Sequence, residues 1–146
     1  MKYLADGVVG KAIVENGMIS GIESSSIVIV GLPYSLKIVT GDVEVSSDFS
    51  NTRGNRKDID EVYLDLWLSS GGEVRDDSGL FRRVEDFNKN RGLSRETYGG
   101  FQPRSGVFLV PVSGSSGRVK TIEIQHDDPL PFTLLAMQAQ LTEGEI

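Results

Sequence analysis

Val62-Tyr63-Leu64-Asp65-Leu66-Trp67-Leu68 decides the fold. Apolar aliphatic residues stand at the even positions, and Tyr63, Asp65 and Trp67 fill the odd ones. A period of two is the signature of a strand with one buried face. A helix would place Leu64 and Leu68 together but turn Leu66 away from them. The reading is therefore a β-strand whose even face, Val62, Leu64, Leu66 and Leu68, packs on a core. Ser69-Ser70-Gly71-Gly72 ends it.

The same logic extends in both directions. Upstream, Val8 to Val14 reads as a strand, Glu15-Asn16-Gly17 as a turn and Met18 to Ile22 as the return strand. Asn-Gly is a strong hairpin signal because both residues tolerate the positive φ of a type I′ turn. Ile27-Val28-Ile29-Val30 is β-branched and apolar at every position, which predicts a strand buried on both faces. Gly31-Leu32-Pro33-Tyr34 breaks it, and Leu36 to Val39 resumes an extended pattern. The span 40–55 is polar and glycine-bearing and reads as a loop, with an edge strand at Val43 to Val45.

Downstream, Glu73 to Gln102 is rich in charge and glycine. Leu80 to Phe87 reads as a short strand or, at Arg83 to Phe87, as one turn of helix. The span 88–102 reads as an exposed loop, long enough to suggest a role in function or contact. Val107 to Val112 and Val119 to Gln125 read as strands flanking Ser113-Gly114-Ser115-Ser116-Gly117, a flexible hairpin loop. In Asp127-Asp128-Pro129-Leu130-Pro131 the two prolines forbid helix and central strand. Phe132 to Leu141 reads as a final strand, although Ala136 to Leu141 alone would tolerate a helix, and Thr142 to Ile146 is expected to fray. About nine short strands with frequent turns predict an all-β domain, an antiparallel β-sandwich or partly open barrel with long loops.

The totals narrow the function classes. With 146 residues the chain is about one domain and needs no staple to fold. It has no cysteine, which excludes thiolate zinc sites, iron–sulfur clusters and cysteine nucleophiles. The formal charge of −6 argues against a surface that grips nucleic-acid phosphates. No apolar run approaches the ~20 residues that span a bilayer, and no apolar stretch of a signal peptide follows Met1, so no membrane anchor and no secretion are expected.

Candidate chemistry is sparse. His126-Asp127-Asp128 has metal-binding or acid–base residue types, but His126 is the sole histidine and neighbouring strand residues face opposite ways. The aspartates before Pro129 read as starting a turn. The Ser113–Gly117 loop leads into a strand and lacks the lysine of a phosphate cradle. No Gly-x-Ser-x-Gly elbow is present. The expectation is no catalytic residue, no metal and no cofactor. Carboxylate chemistry at Asp127 and Asp128 is the enzymatic alternative. Arg53, Arg56 and Lys57 form one basic cluster and Arg82-Arg83 another, both read as solvated loop charges.

Three stretches in order resemble one family. The first is Leu4-Ala5-Asp6-Gly7, Asn16-Gly17 and Val30-Gly31-Leu32-Pro33-Tyr34. The second is Gly54-Asn55-Arg56-Lys57, running into Ile59 to Leu68 and Ser70-Gly71-Gly72. The third is Gly117-Arg118-Val119, Ile122 to Gln125, and Asp127-Asp128-Pro129-Leu130-Pro131-Phe132-Thr133-Leu134-Leu135-Ala136. Together they resemble the C-terminal region of short-tailed bacteriophage tail nozzle proteins, also called tail tubular protein B or stabilisation proteins. Members of that family carry a β-propeller region upstream, so the chain is expected to be a fragment, a domain or a separate gene product. Glu73 to Gln102 matches the family poorly.

The resemblance implies a structural virion protein. Nozzles are six-fold rings at the distal end of the tail that close the DNA channel and touch fibres. The implied partners are copies of itself and other tail proteins or fibres, with genomic DNA passing nearby unbound. Tyr34, Trp67, Tyr98 and Phe101 are the expected subunit-interface residues, with Tyr34 and Trp67 as buried anchors, although Trp67 reads equally well as a large aromatic of the sandwich core. The loops 40–55 and 88–102 are expected to contact other subunits or fibres. A receptor- or carbohydrate-binding module at the tail tip, using Tyr98 and Phe101, is the alternative.

Overall fold

The computed structural model describes residues 1–32, 34–44, 54–88 and 103–143. These form an all-β structure of twelve strands and one helical turn. In chain order the strands are β1 (Lys2–Ala5), β2 (Val8–Lys11), β3 (Ile13–Glu15), β4 (Met18–Ser20), β5 (Val28–Gly31), β6 (Leu36–Val39), β7 (Lys57–Ser69), β8 (Glu73–Asp76), β9 (Arg82–Arg83), β10 (Arg104–Pro111), β11 (Ile122–His126) and β12 (Leu134–Glu143); α1 (Val84–Phe87) lies between β9 and β10.

Two antiparallel sheets make the body. One has the order β10-β7-β12 and the other β6-β11-β8-β9. Val62, Leu64 and Leu66 from β7 and Phe108 and Val110 from β10 meet Val74 from β8 and Ile122 and Ile124 from β11 in one buried cluster. Met137, Ala139 and Leu141 of β12 and Ile38 of β6 pack against its rim. Two open sheets sharing one core are a sandwich, not a barrel. A third sheet, β2-β1-β5, and the β3–β4 hairpin hold the first 31 residues.

The alternation in β7 behaves as expected through Leu66 and fails at Leu68. Val62, Leu64 and Leu66 are fully buried, whereas Leu68 is half exposed. The cause is a bulge. Leu66 pairs with Gly106 and Ser69 with Arg104, so Trp67 and Leu68 together oppose Ser105. Leu68 takes a positive φ of 41°, which shifts the strand by one residue, and Ser69 becomes the buried side chain. A left-handed conformation at a non-glycine residue costs about 1–2 kcal/mol.

The Asn16-Gly17 hairpin is present. Asn16 and Gly17 have φ of 52° and 78°, and Val14 pairs with Ile19. The strand expected over Val8 to Val14 breaks at Ala12, and its first half pairs instead with β1. Asp6-Gly7 forms the same kind of two-residue turn, with φ of 45° and 90°. The return strand stops at Ser20, short of Ile22.

Several expectations are corrected. The apolar run Ile27 to Val30 is not buried on both faces: Ile27, Val28 and Ile29 are exposed, because β5 is the edge of a three-stranded sheet. Ser113 to Gly117 is not a hairpin loop. Val107 to Val112 belongs with β7, while β11 pairs with β6 and β8 in the opposite sheet, so the segment crosses between layers. Val43 and Glu44 lie outside any strand, although Val43 N–H donates to the Lys120 carbonyl at 2.7 Å. Glu73–Asp76 forms a strand where only loop-like charge was visible. Leu80 to Phe87 combines both readings, a two-residue strand followed by a helical turn. The final strand starts two residues later than expected, at Leu134, and holds Thr142 and Glu143 in register against Asp58 and Lys57, so these two do not fray.

Leu64 fills the centre of the core, so Leu64→Ala is expected to cost about 2–5 kcal/mol. The half-exposed Leu68→Ala should change stability by less than about 1 kcal/mol. Chemical denaturation of both variants checks this; equal losses would contradict the bulge at Trp67–Leu68.

Candidate interaction surfaces

The odd face of β7 is the outer face of its sheet, and the aromatic residues expected opposite the leucines lie there. Tyr63 is partly covered, and its hydroxyl donates to Glu61 Oε2 at 2.8 Å. That bond and burial hold the phenol pKa above its ordinary value. Trp67 is 55% exposed. At the same end of the sheet Leu68, Val107 and Leu135 are also exposed. Leu135 is the extra residue of a second bulge, between Leu134 and Ala136. Two bulges therefore push large apolar side chains outward around the tryptophan. The Leu68 N–H donates to Ser105 Oγ at 2.9 Å, and Ser69 Oγ donates to the Trp67 and Thr133 carbonyls.

The second surface is the N-terminal sheet with its hairpin. β1 is its buried strand, with Leu4 and Ala5 inside. Its flanks are not covered: Val8, Ile13, Met18, Ile27, Ile29 and Leu32 are all more than half exposed. All six residues of β3 and β4 face solvent. A two-stranded hairpin of this kind is marginal alone. Asp6 steadies the neighbouring turn by accepting the Ser26 and Ile27 N–H groups, each at 2.8 Å, and these bonds lower its carboxyl pKa.

His126-Asp127-Asp128 is a junction between these parts. Lys2 Nζ lies 2.8 Å from Asp127 Oδ2 and 3.7 Å from Asp128 Oδ1, tying β1 to the end of β11. The hydrogen bond from Lys2 holds the Asp127 carboxyl below the ordinary range. His126 is buried, and its Nε2 donates to the Leu130 carbonyl at 2.8 Å. That assignment follows because a carbonyl only accepts. Nδ1 has no partner among the described residues. The ring stacks on Phe132 with centroids 5.0 Å apart. Tyr34 is half exposed, but its hydroxyl also donates to the Leu130 carbonyl, at 2.9 Å. The prolyl turn is thus held by two aromatic donors on one oxygen. Among the described residues no group of three or more His, Asp or Glu is placed to hold a metal ion.

Tyr34 and Trp67 are therefore both accessible but lie on different parts of the chain, Tyr34 by the prolyl turn and Trp67 at the β7 bulge. Tyr98, Phe101, Arg53 and most of the loops 40–55 and 88–102 fall outside the described residues. Lys57 corrects the reading of a solvated basic cluster. It is fully buried, with Nζ 3.0 Å from Asp42 Oδ1. Arg83 pairs with Glu73 at 3.3 Å. Lys120, which the sequence reading passed over, is also fully buried, against Asp76 and Asp77. Its burial alone would lower the ammonium pKa, but hydrogen bonds and charge from the two aspartates outweigh that and raise it.

No family model matches the chain, and no curated protein matches it.

The lowered carboxylates set a pH dependence. Asp127 is held down by Lys2, Asp6 by two backbone N–H bonds, and Glu123 by hydrogen bonds from Lys37 and Arg75. A folded pKa below the unfolded one stabilises the fold above the unfolded value and ceases to do so as pH falls through the folded value. Thermal stability should hold from neutrality to roughly pH 5 and then fall through the carboxylate range below about pH 4. Lys2→Met should flatten part of that acid loss in a melting series; an unchanged acid slope would show that Asp127 owes nothing to Lys2.

Proposed function

We propose that this chain is a structural module of a bacteriophage tail nozzle, and that it works by assembling with copies of itself and with other tail proteins or fibres. The observation that carries the reading is the pair of uncovered apolar surfaces, around Trp67 and across β2–β5. Large exposed apolar areas on a folded chain mark contact sites, and aromatic anchors dominate such contacts. The ordered set of Val30-Gly31-Leu32-Pro33-Tyr34, Gly54-Asn55-Arg56-Lys57 and Asp127-Asp128-Pro129-Leu130-Pro131 supports the nozzle family in particular. The charge of −6 suits a channel wall past which DNA slides without being held. In this reading the module does no covalent chemistry on a substrate, and its ring is six-fold in the assembled tail.

Two measurements test it. Antibody labelling of purified phage particles, seen by electron microscopy, should place this chain at the distal end of the tail; particles without it would defeat the virion role. In sedimentation the isolated chain should self-associate, and Trp67→Ser should weaken that association by roughly 30-fold or more, the effect of a central aromatic anchor. A chain that stays monomeric at every concentration while binding host-surface glycans would favour the receptor-binding alternative.

A further inference from the structure

The end of β8 carries a second built site, and it is chemical in character. Lys120 and Asp76 are both fully buried, and their side chains meet with Nζ 2.5 Å from Oδ2. Asp77 Oδ1 lies 2.7 Å from the same nitrogen, and the Ser115 carbonyl accepts from it at 2.9 Å. The other oxygen of Asp76, Oδ1, accepts two backbone N–H groups, from Ser78 at 3.2 Å and Gly79 at 2.5 Å. The chain makes room for this carboxyl with glycine. A methyl group at Gly114 would overlap both Asp76 oxygens, and one at Gly79 would stand 2.6 Å from Oδ1.

These parts match the needs of an acyl transfer. A nucleophilic amine lies against a carboxyl group. Two N–H donors face the oxygen on which negative charge would develop. A second carboxylate is in reach of the amine protons. Both reacting groups are buried and held side by side by a hydrogen bond, the kind of fixed proximity under which an intramolecular reaction reaches very high effective concentration.

We propose that Lys120 and Asp76 join in an intramolecular isopeptide bond. Asp77 passes one proton from the Lys120 ammonium to Oδ2 of Asp76, so that a neutral amine meets a neutral carboxyl group. The freed lone pair of Nζ attacks Cγ of Asp76, and Oδ1 takes up the negative charge beneath the Ser78 and Gly79 N–H groups. Asp77 then carries a second proton from Nζ to Oδ2. The Cγ–Oδ2 bond breaks with its electron pair on that oxygen, which leaves as water, and the Oδ1 charge collapses to the amide carbonyl. Ammonium and carboxylate become amide and water, with no oxidant, reductant or cofactor. The bond ties the end of β8 to the approach to β11, residues 44 apart in the chain. It gives a cysteine-free protein a covalent clasp.

Intact mass spectrometry of the full purified chain, denatured after folding, tests this. The expected mass is that of the sequence less one water. A protease digest should contain a branched peptide joining Asp76 to Lys120, uncut after Lys120. Lys120→Arg should restore the full mass, and Asp77→Asn, which keeps both reacting groups, should slow the loss of water. A folded wild-type chain that keeps its full mass after prolonged incubation would overturn the proposal and leave a buried ion pair. So would a water loss that maps instead to Asp6-Gly7, where an aspartyl–glycine bond can cyclise. An unchanged rate in Asp77→Asn would overturn the proton relay.

Discussion

Burial of the Val62, Leu64 and Leu66 stripe is the constraint on which the rest of the structure depends. β7 is the centre of its sheet, with β10 on one side and β12 on the other. Its three aliphatic side chains reach zero exposure only because β8 and β11 close over them. A slip of one residue in either pairing would put Tyr63, Asp65 and Trp67 into that space, so the apolar stripe fixes the register of three strands together. The bulge at Trp67–Leu68 is then a local exception with a purpose. It lets the strand end with Ser69 inside, where its hydroxyl meets the Thr133 carbonyl and N–H and joins the turn before β12.

Charge is handled by the same economy. Among the described residues two lysines are fully buried, and each is placed against aspartate. Dry ion pairs are poor sources of net stability, because desolvation offsets most of the attraction. Their value lies in position. Asp42 accepts from both Lys57 Nζ and the Lys120 backbone N–H, and Asp76 gathers Lys120, Ser78 and Gly79. Together they fasten 42, 57, 76 and 120, four points far apart in sequence, at one end of the sandwich. Each of these side chains is held by partners distant in sequence, so the arrangement specifies one packing of the loops.

Much of the local structure was legible in the sequence, and the reasons are physical. The period of two in β7 and the Asn16-Gly17 turn depend on neighbours in the chain. Asp6-Gly7 carries the same turn chemistry and closes the β1–β2 hairpin. Other features depend on partners distant in sequence. Glu73-Val74-Arg75-Asp76 resembled a charged loop because its charges are answered elsewhere: Arg75 by Glu123, Glu73 by Arg83 and Asp76 by Lys120. Composition also misplaced Ile27 to Val30, since apolar side chains state what a strand can bury, not whether a second layer covers it. Of the candidate contact residues, Trp67 was legible as facing away from the leucines. The Lys120–Asp76–Asp77 cluster carried no signal, because three ordinary charged residues become a site only when the pairing of β8 with β11 brings them together.

That same uncovered layer separates two explanations of the exposed apolar residues. Scattered apolar side chains on a surface require no explanation. Val39, Leu80, Phe87 and Val119 are of that kind, but most of the exposed large apolar side chains among the described residues are gathered in groups. They occupy the flanks of β2–β1–β5, the entire β3–β4 hairpin and the bulged end of the β7 sheet, while Lys2 and Asp127 spend their charge docking β1 onto the sandwich. Edge strands with apolar faces invite pairing with other chains, and proteins that remain single blunt them with charge, proline or bulges. The β3–β4 hairpin has Glu15 as its one charged side chain and no proline. Charge fixes β1 to the sandwich while this hairpin is left apolar and exposed, which supports the assembly proposed for this face.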